Sequence, residues 1–158
     1  MNIGTRVDYF RKEHHHFLRF LDDWENALEL TGSQDEQERL RGVNRLRGLQ
    51  PQLQALRDHC TSEERNVEGP YHGHLEKGQI DALRTEHEQL ARLLGDLFSE
   101  LRFATLHEAE RARMVGRHVA AFARRHILFE EELLAEIERK LSQEAEENLL
   151  LRYTQAPD

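Results

Sequence analysis

The chain has 158 residues, of which 38% are hydrophobic and 33% charged, and it carries a net charge of −8. That length predicts one domain over 1–158 with its own core, and the acidic balance, with no basic patch or base-stacking motif, excludes nucleic acid as a partner. No apolar run approaches the roughly 18 residues that span a bilayer, so no membrane partner is expected either.

The single cysteine, Cys60, has no partner for an internal disulfide. Residues Met1 to Arg6 lack the apolar stretch of a secretory signal. The expected compartment is the reducing cytoplasm.

Three prolines, nine glycines and an abundance of Leu, Glu, Arg and Ala favour helices over strands. A first helix is predicted from about Thr5 to Leu30. Val7, Phe10, His14, Phe17, Leu21, Trp24 and Leu28 recur there at alternating steps of three and four, and Thr31-Gly32 stops it. Ser33 to Glu36 fits a capping box for a second helix, running through Leu40, Val43, Leu46, Leu53, Leu56, Cys60 and Glu63 toward Val67. Pro51 should kink or split it.

Glu68 to His74 is the clearest loop. A third helix is predicted from about Gly78 to Phe103, with Ile80, Leu83, His87, Leu90, Leu94, Leu97 and Leu101 on one stripe. Thr105 to Glu108 offers another capping box. The fourth helix then runs to about Lys140, burying Val115, Val119, Phe122, His126, Phe129, Leu133 and Ile137. A short tail helix from Ser142 to about Tyr153 completes the expected fold, an all-α, up-down-up-down four-helix bundle.

Ten histidines are the compositional anomaly. His59-x-x-x-Glu63-Glu64 and His126-x-x-x-Glu130-Glu131 repeat one pattern, and a spacing of four puts each His and Glu on one helix face. Two lone histidines accompany them. Glu13-His14-x-x-Phe17-x-Arg19-Phe20-Leu21 matches Glu86-His87-x-x-Leu90-x-Arg92-Leu93-Leu94 position for position. The ligand-like residues therefore follow a pseudo-twofold order, and the repeat selects His14 over His15 and His16. At about 1.5 Å per residue, His14, His59 and His87 fall at one depth in the bundle, and helix 4 must overhang to bring His126 level.

Singly, each residue has an ordinary explanation. A lone histidine on an apolar stripe is usually satisfied by a backbone carbonyl, and an i,i+4 His–Glu pair is usually solvated. Together, four imidazoles and two carboxylates in one core layer are costly to bury without a cation. His14, His59, Glu63, His87, His126 and Glu130 are thus the candidate metal ligands, and transition metals suit that donor set. Glu64 and Glu131 lie about 100° round the helix and read as residues behind the ligands or at the surface. His15, His16, His72 and His74 read as surface residues, His107 as a cap-region residue, and His118 as structural. Cys60 reads as a small buried hydrophobe.

These residues, from Val7 to Leu141, resemble the hemerythrin-like family of HHE cation-binding domains. The resemblance rests on Glu13-His14, His59-x-x-x-Glu63-Glu64, Glu86-His87 and His126-Ile127-Leu128-Phe129-Glu130-Glu131. It implies a bundle holding two non-haem iron ions with a bridging oxo or hydroxo group, bridged by the two glutamates and completed by the histidines. The chain departs from the oxygen carriers of the family, whose third helix has His-x-x-x-His where Ala91 stands four after His87. Their fourth helix has His-x-x-x-x-Asp instead of His126-x-x-x-Glu130. The set of four His and two Glu is similar to the di-iron domain of proteins that repair iron–sulfur centres under nitrosative or oxidative stress, although the cysteine-bearing domain of those proteins is missing from the sequence.

The leading expectation is a cytoplasmic di-iron protein that binds or senses O₂, NO or peroxide, with no separate catalytic residue. A peroxidase- or catalase-like enzyme at the same centre is a second reading, and a metal-dependent stress or interaction module a third.

Overall fold

Uninterrupted amphipathic repeats fold as helices wherever the seam residues predict them. The computed structural model describes residues 3–67, 73–103 and 109–154, which form five helices and no strand. They are α1 Ile3–Thr31, α2 Glu36–Gly48, α3 Gln50–Val67, α4 Lys77–Phe103 and α5 Ala109–Thr154. Every residue of the predicted α1 seam is buried, and Phe20 and Ala27 widen the buried stripe.

Pro51 splits the second predicted helix. It cannot donate to a carbonyl one turn back, and it stands at the second residue of α3, where that donor is not required. Between the two helices Leu49 stays near helical geometry and donates to the Arg45 and Leu46 carbonyls.

Three expectations need correction. The α2 cap is Asp35, two residues beyond Ser33. Its carboxylate accepts from the Glu38 N–H at 3.0 Å, and the Ser33 hydroxyl instead accepts from the Asp35 N–H. Leu40, read as a seam residue, is 47% exposed. The buried face of α2 is centred on Gly42, Val43 and Leu46, about 110° round from Leu40 at 3.6 residues per turn. The separate tail helix is absent, because α5 continues unbroken to Thr154, and residues 142–148 are exposed. No Gly or Pro lies between Lys140 and Thr154, so no backbone signal ends the helix. Gly73 and His74 form a turn. The rest of the predicted loop, Glu68 to His72, and the capping box at Thr105 to Glu108 lie outside the described residues.

Ion pairs show how the helices face one another. On α1 and α5, Arg11 pairs with Glu131 and Glu138, Asp22 with Arg124, and Glu29 with Arg117. On α4 and α5, Gln79 bonds Glu136, His126 bonds Glu86, and Arg111 meets Glu100. In each series the number falls on one helix as it climbs on the other.

The apolar interior of this helical bundle comes in two parts. One packs Phe17, Leu21, Trp24, Leu56, Leu90, Leu94 and Ala123. The other packs Val7, Phe10, Leu75, Leu83, Leu133 and Ile137. Along α1 the polar residue between Phe10 and Phe17 is His14, and along α4 His87 falls between Leu83 and Leu90. A polar layer is therefore closed above and below by hydrocarbon.

Close helix approach supplies a test of this packing. A Cβ at Gly42 would lie 2.8 Å from the Thr31 backbone nitrogen and 2.9 Å from the Ala27 carbonyl, whereas one at Gly95, within α4, meets nothing within 4 Å. Gly42→Ala is expected to destabilise the fold by about 1–3 kcal/mol in urea melts, because backbone must move. Gly95→Ala is expected to stabilise it by about 0.8–1 kcal/mol through helix propensity alone.

Candidate metal centre

Six of the eight buried polar or charged side chains among the described residues are the six predicted ligands. His14 comes from α1, His59 and Glu63 from α3, His87 from α4, and His126 and Glu130 from α5. None is more than 4% exposed. His15 and His16 are exposed, as the repeat predicts; His118, read as structural, is exposed on α5, and His74 is half-buried. His72 and His107 fall outside the described residues.

The donor atoms fall into two overlapping groups. His14, His59, Glu63 and Glu130 offer ligand atoms within 4.8 Å of one another, and so do Glu63, His87, His126 and Glu130. Both carboxylates belong to both groups. Glu130 sets Oε2 3.2 Å from His14 Nε2, and Oε1 2.9 Å from His87 Nε2 and 2.7 Å from His126 Nε2. Glu63 sets Oε1 3.6 Å from His14 Nε2, and Oε2 3.5 Å from His59 Nε2 and 3.6 Å from His87 Nε2. The rings pair correspondingly, with centroids 4.9 Å apart for His14 and His59 and 4.8 Å for His87 and His126.

Each imidazole turns Nε2 inward and is held from behind through Nδ1. The partners are Glu131 for His14 at 2.6 Å, Glu13 for His59 at 2.8 Å, Glu64 for His87 at 3.1 Å and Glu86 for His126 at 2.8 Å. An Nδ1–H donated to a carboxylate fixes the tautomer that leaves Nε2 with a lone pair. The four contacts obey the sequence repeat: Glu13–His59 corresponds to Glu86–His126, and Glu64–His87 to Glu131–His14. Sequence reasoning put Glu64 and Glu131 behind the ligands or at the surface, and it assigned no role to Glu13 and Glu86. The signal was present in the Glu-His pair that opens both halves. Tyr9 donates to Glu13 at 2.7 Å and Arg11 to Glu131 at 3.2 Å, anchoring two of these carboxylates in turn.

Charge in this layer is not balanced by hydrogen bonding. Glu63 Oε2, Glu130 Oε2 and His126 Nε2 are buried with no hydrogen-bond partner. His126 Nε2 lies only 2.7 Å from Glu130 Oε1, but the two are not aligned for a bond. Orphaned acceptors of this kind cost free energy unless a cation meets them. The donors present therefore fit a metal: neutral imidazole and ionised carboxylate in a dry layer.

The ionisation behaviour carries the same sign. Burial opposes charge on His14, but the Glu130 and Glu63 carboxylates facing its Nε2 outweigh it and raise the imidazole to about 10. Burial likewise opposes charge on His87 and His126; contacts with Cys60 and Glu130, and with Glu63 at His87, raise them to about 12 and about 10. Burial pushes Glu130 up, yet its hydrogen-bonding neighbours hold it well below the usual carboxylate range. The layer demands positive charge, and protons on imidazole supply it when nothing else does.

A cavity of about 200 Å³ reaches this layer between α3 and α4, lined among others by Arg57, Cys60, Glu64, His87 and Ala91. A larger surface hollow lies elsewhere, at Arg47, Pro51 and Phe98, away from the donors.

The family model of the hemerythrin HHE cation-binding domain matches residues 5–137. The chain belongs to this family. No curated protein and no solved structure matches it. All six donors of this hemerythrin HHE domain lie inside the matched span, as do the four carboxylates behind them. No helix among the described residues is long and apolar enough to cross a membrane.

Linkage sets the pH dependence of the metal-free HHE domain. Imidazoles raised from 6.5 to about 10 and 12 add stability that is complete below pH 6.5 and lost as pH rises through those values. Glu130, lowered well below 4.5, adds stability that is complete above pH 4.5 and lost in acid. The thermal midpoint of metal-free protein is expected to be highest between about pH 4.5 and 6.5 and to fall toward pH 10. Circular-dichroism melts across that range measure it, and a midpoint climbing from 6.5 to 10 would contradict the assignment.

Proposed function

We propose that the chain is a non-haem di-iron protein that binds or senses O₂, NO or peroxide. His14 and His59 hold one iron, His87 and His126 hold the other, and Glu63 and Glu130 bridge them. The observation that carries this reading is the membership of both glutamates in both donor groups, with one oxygen of each left unpartnered. One ion could not use all six donors so evenly, and two ions sharing two carboxylates can. Family membership supports iron as the cation.

Two imidazoles and two shared carboxylates give each ion four protein donors, fewer than the roughly six of an octahedral site. Iron bound there would supply a redox-active Lewis acid with positions free for a small ligand. The protein's own part is to orient the donors through Glu13, Glu64, Glu86 and Glu131, to exclude bulk water with the apolar layers, and to admit small molecules past Ala91. The opposed numbering of facing contacts supports an up-down-up-down bundle acting as one domain. A free, buried Cys60 supports a cytoplasmic setting.

The test is anaerobic iron loading of untagged, metal-free protein followed by metal analysis. About two irons per chain are expected, and fewer than about one would sink the proposal. His126→Leu is expected to abolish loading yet leave a folded helical chain, because an imidazole whose Nε2 has no hydrogen-bond partner leaves the buried layer. A variant that fails to fold would show that this histidine serves the fold itself.

A further inference from the structure

The pseudo-twofold repeat breaks at one buried position beside the donors. The residue after His59 is Cys60, and the residue after His126 is Ile127. Both are buried, at 6% and 0% exposure. Cys60 offers a ligand atom within 4.8 Å of ligand atoms on both His87 and His126, and all three residues are buried. The equivalent place in the other half holds hydrocarbon.

We propose that the Cys60 thiolate is an additional ligand to the cation held by His87 and His126, which makes the two cation positions chemically unlike. This inference rests on the reading of the layer as a two-cation centre. Three observations carry it. His126 is wholly buried, its Nε2 has no hydrogen-bond partner, and it belongs to the trio with Cys60. The separation suits a shared ion: metal–sulfur and metal–nitrogen bonds of about 2.3 and 2.1 Å allow donors up to about 4.4 Å apart across one ion, so a separation bounded by 4.8 Å closes with a small side-chain movement. The cavity between α3 and α4 is lined by Cys60 and His87 together, which gives the thiol proton a path out.

On binding, the S–H bond breaks heterolytically. The proton passes to water through that cavity, and both electrons stay on sulfur to form the metal–sulfur bond. No oxidant or reductant is consumed. Thiolate is the softest donor in the layer and the form of cysteine that binds metals, so the His87–His126 position gains a fifth donor while the His14–His59 position keeps four.

Cobalt(II) added anaerobically to the metal-free chain tests this, because sulfur donation produces an intense near-ultraviolet charge-transfer band that nitrogen and oxygen donors do not. The band is expected to grow with added cobalt in the unmodified protein, and its intensity per bound cobalt is expected to be lost in Cys60→Ser and Cys60→Ala. X-ray absorption at the cobalt edge of the unmodified protein should require a sulfur scatterer, a readout independent of whether the variants fold. Spectra identical with and without Cys60, or an edge fitted by nitrogen and oxygen alone, would overturn the sulfur ligand and leave the two-cation centre standing. Failure of the unmodified chain to take up cobalt or iron would overturn both.

Discussion

Everything in this molecule is arranged around two carboxylates that have been taken out of water. Glu63 and Glu130 sit between two hydrocarbon layers, where an unpaired charge is many times costlier than at the surface. Four imidazoles surround them, and even so one oxygen on each has no hydrogen-bond partner. Such a layer is stable only if positive charge enters it. Protons on the histidines meet the demand partly, and metal cations meet it with far better geometry. The bundle serves as the insulator that keeps the demand high.

The outer carboxylates turn that demand into a shape. Each of the four buried histidines is gripped through Nδ1, so Nε2 is aimed into the layer by the fold itself. Preorganisation of this kind costs stability locally, since four more acidic groups are drawn toward an acidic centre. The large hydrophobic parts on either side, with Trp24, Leu90 and Leu94 fully buried, are what make the cost tolerable. Surface ion pairs such as Arg124 with Asp22 add little to that balance.

Most of this was legible before any coordinates. The three-and-four spacing marked α1, α3 and α4 to within a few residues, and the Glu-His and His-x-x-x-Glu-Glu repeats picked out all six inner donors and chose His14 from its triplet. What could not be read was anything set by distance across the bundle. Glu13 and Glu86 grip histidines on neighbouring helices, a relation that no spacing within one helix encodes. Cys60 looked like filler because it occupies an x position of the His59-x-x-x-Glu63 motif; its neighbours in space include His87 and His126. Leu40 was misassigned because an apolar residue one step off the seam has the same periodicity as one on it. The unbroken α5 was missed because Ser142 suggests a cap, and a cap residue without a helix-ending partner before it does not stop a helix.

The cross-grip has a topological meaning. Glu13 and Glu86 each hold a histidine of their own half of the chain, while Glu64 and Glu131 each hold one belonging to the opposite half. Severed in the segment after Val67, either fragment would keep one histidine oriented and lose the clasp on the other, and each would retain a single inner carboxylate with no counterpart. The two halves are interlocked like the tongues of a buckle: similar enough to be copies, and useless apart.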